Sequence, residues 1–146
     1  LLTLFRIYSA LYRWHVPLLP RLLYMLNRIL FAVVLPPSVK VGRGVTFAYQ
    51  GLGTVVHAKA VIGNDVYIGP QVIIGGRSGE KRVPVIEDKA FLGAGARVLG
   101  PVTVAAGATV AAAAVVLTDV APGTAVAGVP AKPIRATRRE AAALSD

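Results

Sequence analysis

In the stretch VHAKAVIGNDVYIGPQVII, residues 56–74, a branched aliphatic residue returns at every sixth position: Val56, Ile62, Ile68 and Ile74. The phase continues at Ile86, Leu92, Val98, Val104, Val110 and Val116, with Val41 and Phe47 leading in. Four residues after an anchor stands a small or β-branched residue, as at Ala60, Val66, Val72, Ala90, Ala96, Val102, Ala108, Ala114 and Val120. A period of six fits neither the 3.6 of a helix nor the plain alternation of a strand. It fits short parallel strands broken by a turn every six residues, stacked into a β-solenoid. Three hexads then make one three-walled turn of eighteen residues. Anchors point inward, and their small companions sit where the walls converge. Glycine follows the anchor at Gly42, Gly63, Gly69, Gly75 and Gly93, where it is expected to let the backbone take the corner without a Cβ penalty. Separate hairpins would call for turn pairs such as Asn-Gly at irregular spacing, and the chain has none.

Two excursions interrupt the hexads. Nine residues separate Phe47 from Val56, so three surplus residues bulge out, with Gly51 and Gly53 permitting the turn. Twelve separate Ile74 from Ile86 across GGRSGEKRVPV, residues 75–85, leaving open whether a hexad was replaced or a loop inserted. At the far end, Pro130 and Pro133 are expected to stop strand addition and so cap the solenoid.

The chain divides into a helical segment at 1–35, the hexad domain at 36–135 and a tail at 136–146, where Arg138 and Arg139 fit a short helix. Helical spacing runs from Thr3 to Trp14, and again from Pro20 to about Val33, with prolines ending each run. Arg6, Arg13, Arg21 and Arg28 would form a basic stripe if the two helices align. No run reaches the length of a charge-free membrane span. Two readings stay open: the helices pack on the solenoid or a neighbouring subunit, or they touch anionic lipid as a peripheral pair. His15, at the break between them, reads as a surface residue.

Sixteen basic residues against seven acidic give a net charge of +9. That favours phosphate-bearing partners or an anionic membrane surface. No helix-turn-helix, zinc or RNA-binding signature accompanies the charge, so no nucleic-acid partner is expected. The absence of cysteine excludes disulfides, thiolate metal sites and an acyl-cysteine intermediate. A cytoplasmic location, at the inner face of the membrane, is the matching expectation. Thin coils bury little core, so side-by-side packing is expected, and three flat walls favour a homotrimer.

Hexads followed by GVPAKPIR, residues 128–135, resemble the left-handed β-helix acyltransferases that use acetyl-CoA, most of all the serine acetyltransferase-like branch. The resemblance is carried by residues 44–56, 60–66, 72–76 and 93–100 together with the terminal cap. It implies a left-handed parallel β-helix, acetyl-CoA as acetyl donor and no metal. The chain departs from the branch where an Asp-His pair is expected and Ala48-Tyr49 stands. It departs again where a second His is expected before a proline and Val83 stands, and where an acidic residue falls on Val34. These departures bear on serine recognition, so a sugar or polysaccharide precursor is the expected acceptor. Serine O-acetylation with a rearranged site and a non-enzymatic trimeric scaffold are the alternatives.

His57 is the candidate base, since imidazole can take a hydroxyl proton near neutral pH. A structural corner histidine is the rival reading. Tyr49, in the same bulge, titrates too high to act unaided but can orient the ring or bind the acceptor. Without cysteine, direct transfer in a ternary complex is favoured. Backbone N–H groups at Gly75 and Gly76 are candidates for the developing oxyanion. A thin pantetheine arm suits a groove between packed solenoids beside small Gly93, Ala94, Ala112 and Ala113. Lys132 and Arg135, or Arg77 and Lys81 on the loop, suit its phosphates.

Overall fold

The computed structural model describes residues 1–134, so Arg135 and the tail at 136–146 lie outside the described residues. Two helices, α1 (Leu2–Arg13) and α2 (Leu19–Phe31), precede the strands. Strands β1 (Lys40–Val41), β4 (Val61–Ile62), β7 (Val85–Ile86) and β10 (Thr103–Val104) form one parallel wall. A second wall holds β2 (Thr46–Phe47), β5 (Tyr67–Ile68), β8 (Phe91–Leu92), β11 (Thr109–Val110), β13 (Ala125–Ala127) and β14 (Lys132–Ile134). The third holds β3 (Val55–Val56), β6 (Ile73–Gly75), β9 (Arg97–Leu99) and β12 (Val115–Val116).

The anchors stack in register, Val56 on Ile74 on Val98 on Val116, and Phe47 on Ile68 on Leu92 on Val110. All of them from Phe47 onward are buried, as is every small companion from Ala60 to Val120. Val41, in the first coil, is half-buried against that core. The register settles the twelve-residue interval: Ile74 lies in the third wall and Ile86 in the first, where it pairs with Ile62. Consecutive walls are therefore occupied, and the surplus is an inserted loop.

The role expected for the post-anchor glycines is corrected by their geometry. Gly42, Gly63, Gly69 and Gly93 do not adopt positive φ. A Cβ on Gly69 would lie 2.6 Å from the Ala94 nitrogen, and one on Gly93 would lie 2.5 Å from the Ala112 nitrogen. Glycine is required there because successive coils touch backbone to backbone. The left-handed turn falls two residues later and is taken by Asp65, Gln71, Lys89 and Ala113 as well as by Gly44, Gly95 and Gly107.

The end of the solenoid also differs from expectation. The prolines do not stop strand addition, because β14 folds back antiparallel on β13, with Pro133 opposite Val126. The exposed edge of the second wall is thus covered by the chain's own hairpin.

The helices match their expected bounds to within two residues. The Tyr8 hydroxyl donates to the Leu35 carbonyl at 2.6 Å and accepts from Asn27 Nδ2 at 3.2 Å, tying α1 and α2 to the entrance of the first coil. Ser9 Oγ donates to the Pro37 carbonyl at 2.8 Å. Phe5 meets Tyr8 edge to face, their centroids 5.4 Å apart. Arg6 is not a free member of a basic stripe, because its guanidinium donates to the Val41 and Gly42 carbonyls. Arg13, Arg21 and Arg28 remain exposed. Among the described residues, no helix is long and apolar enough to cross a membrane.

Candidate active site

His57 directly follows the anchor Val56 at the end of β3, and its backbone N–H donates to the Ile74 carbonyl at 2.8 Å. That bond places the imidazole over the coil that carries Gly75 and Gly76. A Cβ on Gly76 would lie 3.8 Å from His57 Nε2 and 3.9 Å from Val83 Cγ1, so both side chains flank the space that the bare glycine leaves open. The ring is half-buried. Its Nδ1 accepts the Lys59 backbone N–H at 3.2 Å. A backbone N–H can only donate, so the proton of the neutral ring in this arrangement sits on Nε2. Arg77 extends from the same corner and packs across Gly100, with a Cβ there lying 3.3 Å from Arg77 Cβ.

The first excursion is a tight turn at Ala48–Gly51, in which Tyr49 and Gln50 take left-handed φ of 50° and 55°. Such a φ strains non-glycine residues, and it lifts Tyr49 off the wall to 80 % exposure. Among the described residues Tyr49 and His57 share no hydrogen bond, so the orienting contact expected between them is not made. Val34, where an acidic residue was expected, extends the third wall by bridging to Val55. It offers no side-chain acceptor to the site.

The residues expected at the site fall in two sets. His57, Gly75, Gly76 and Arg77 lie at the corner after the third wall. Gly93, Ala94, Ala112 and Ala113 lie at the corner before it, where the Ala113 N–H donates to the Ala94 carbonyl at 2.8 Å. Lys132 joins this second set by pairing with Ala127. The third wall separates the sets by six residues of extended chain, roughly 20 Å. One protomer therefore does not gather them into one pocket. The sequence pattern gave no sign of the Lys59 contact, because it depends on how the chain turns after β3. Among the described residues, no group of three or more His, Cys, Asp or Glu side chains is placed to hold a metal ion.

No family model matches the chain. It is 34 % identical over 131 residues to the serine acetyltransferase of Synechococcus elongatus, a match covering 88 % of this chain and 53 % of that protein. It is 44 % identical over 104 residues to the serine acetyltransferase of Escherichia coli K12, covering 70 % of this chain and 38 % of that one. A solved serine acetyltransferase in complex with CoA superposes with a TM-score of 0.85 at 33 % identity, over 91 % of this chain and 55 % of the other. The chain is a homologue of the serine acetyltransferases, and its β-solenoid is that of a hexapeptide-repeat acyltransferase. Its solenoid is accordingly a left-handed parallel β-helix of about four turns behind two helices. Soybean serine acetyltransferase complexed with serine is similar to the same extent, with a TM-score of 0.84 at 38 % identity over 90 % of this chain and 54 % of the other. The chain spans roughly half the length of the curated relatives it matches.

Proposed function

We propose that this hexapeptide-repeat chain transfers the acetyl group of acetyl-CoA to a hydroxyl acceptor, with His57 taking the acceptor proton. The observation that carries the reading is the half-buried imidazole directed at the bare backbone of Gly76, in a chain similar to a CoA-bound acetyltransferase. To accept a proton at Nε2, the ring must release the Lys59 N–H and carry its own proton on Nδ1. One hydrogen bond of this kind is worth about 1 kcal/mol. General-base catalysis contributes roughly a hundred- to ten-thousandfold in rate, about 3 to 5 kcal/mol, so the exchange is a small cost. The acceptor oxygen then attacks the thioester carbonyl, the tetrahedral oxyanion collapses, and the CoA thiolate leaves. Gly75 and Gly76 supply backbone that a thioester can approach closely.

The relatives favour serine over the sugar or polysaccharide precursor expected from the sequence, and serine is the acceptor we assign first. Two features favour a bulkier hydroxyl compound as a second reading: Val83 puts an apolar side chain beside His57 at Gly76, and Tyr49 stands clear of the bulge. The separation of the two corner sets supports a three-fold assembly, in which a neighbouring copy brings its Gly93 and Ala112 corner, with Lys132, to the His57 corner.

Release of CoA thiol measured with L-serine, and with a panel of sugars, tests the reading. His57→Ala and His57→Gln are expected to lower turnover roughly a hundredfold or more while CoA affinity is retained. Undiminished turnover would remove His57 as the base. A wild-type chain that binds no CoA would instead support the scaffold alternative.

A further inference from the structure

The helix α2 buries one face and turns an apolar face outward. Pro20 and Asn27 point into the body of the protein, with Leu23, Tyr24 and Phe31 partly covered beside them. At 100° per residue, Leu22, Met25, Leu26 and Ile29 fall on the opposite side. They are exposed, Leu22 at 61 % and Ile29 at 77 %. Folding of the solenoid therefore leaves uncovered a stripe of side chains that water does not favour. Arg21 and Arg28, seven residues apart, run along one edge of that stripe, and both are exposed. Beyond the N-terminal end of α2, the connection to α1 holds Trp14 at 75 % exposure, next to the exposed Arg13 that ends α1.

Charge decides what suits this face. The first acidic residue in the chain is Asp65, so neither helix carries a carboxylate to answer the arginines. A second copy laid face to face across a two-fold axis would set arginine near arginine with no acidic partner from either helix. An anionic bilayer answers both properties: the acyl region takes the leucines and Ile29, and the headgroups take the arginines, whose stems lie along the apolar boundary. Tryptophan is favoured at that same level.

We propose that the outward face of α2 lies in the interface of a bilayer carrying anionic headgroups, so that the solenoid works at a membrane surface without crossing it. The whole chain is mixed with vesicles of phosphatidylcholine alone or of phosphatidylcholine with phosphatidylglycerol, and the bound fraction is read by sedimentation. Binding is expected only to the anionic vesicles and is expected to weaken with added salt. Each arginine near such a surface contributes about fivefold, so Arg21→Gln with Arg28→Gln should weaken partitioning roughly thirtyfold. Leu22→Ser with Ile29→Ser should abolish binding with an unchanged melting profile, because both side chains are exposed. No sedimentation of the wild type with anionic vesicles would overturn the proposal. So would sedimentation-velocity data in which the Leu22→Ser and Ile29→Ser variant loses an assembly that the wild type forms without lipid, because the face would then be a contact between copies.

Discussion

Replacing Gly93 by alanine tests why glycine follows the anchors. At a φ that alanine tolerates, Gly→Ala ordinarily stabilises a protein by roughly 0.4 to 1 kcal/mol, because it restricts the unfolded chain. Here the added methyl would lie 2.5 Å from the Ala112 nitrogen, 2.9 Å from the Ala111 carbonyl carbon and 3.0 Å from the Ala112 Cα. All three are backbone atoms of the next coil and have no rotamer through which to retreat. Relief requires the two coils to part at that corner. That would lengthen the bonds from the Gly93 N–H to the Val110 carbonyl and from the Ala113 N–H to the Ala94 carbonyl, both 2.8 Å. Overpacking of this kind costs about 1 to 3 kcal/mol, and each weakened hydrogen bond adds up to about 1. The expected loss is about 2 to 4 kcal/mol, read from urea unfolding followed by circular dichroism. Two controls separate the causes. Gly107→Ala meets nothing within 4 Å but has a φ of 65°, so it should cost only the left-handed strain, about 1 to 2 kcal/mol. Gly75→Ala approaches only side-chain ends, Leu99 Cδ2 at 3.2 Å and Ile73 Cγ2 at 3.5 Å, and should stay close to the wild type. A Gly93→Ala variant as stable as the wild type would refute close coil stacking as the reason for glycine.

Burial pushes the Tyr8 phenol up from its ordinary range, against the lowering effect of its bond from Asn27. Tyr8→Phe leaves the Leu35 carbonyl and Asn27 Nδ2 without that partner, and it should cost about 1 to 3 kcal/mol in the same unfolding assay. The Asn64 backbone N–H, then its side-chain amide, holds the Asp88 carboxyl below the usual carboxylate range. A carboxyl lowered on folding contributes stability above its unfolded pKa and loses it as pH falls through the folded one. The advantage in melting temperature over Asp88→Asn should therefore shrink as pH drops below the carboxylate range, and a difference that grows in acid would contradict the assignment.

The hexad pattern could be read along the chain because each wall is a local event: a branched side chain inward, a thin one where the walls converge, then a turn. The three-residue bulge was visible for the same reason, as a break in spacing. His57 stood out by chemistry, being one of two histidines and the one within the hexads. The partners that act on it were not legible. Lys59 reaches Nδ1 through its backbone, and Val83 reaches Gly76 through a loop whose path depends on which wall resumes afterwards.

Composition and spacing alone determined that this chain is a three-walled β-solenoid behind two short helices, since periodicity in apolar side chains fixes which residues must leave water. Only the tertiary structure decided that the twelve-residue interval is an insertion and that the post-anchor glycines serve contact between coils. It also decided that the residues proposed for CoA divide between two corners, and that α2 keeps its apolar stripe outward. Those outcomes depend on stacking between segments eighteen or more residues apart, where the distance between backbones, and not the order of side chains, sets the result.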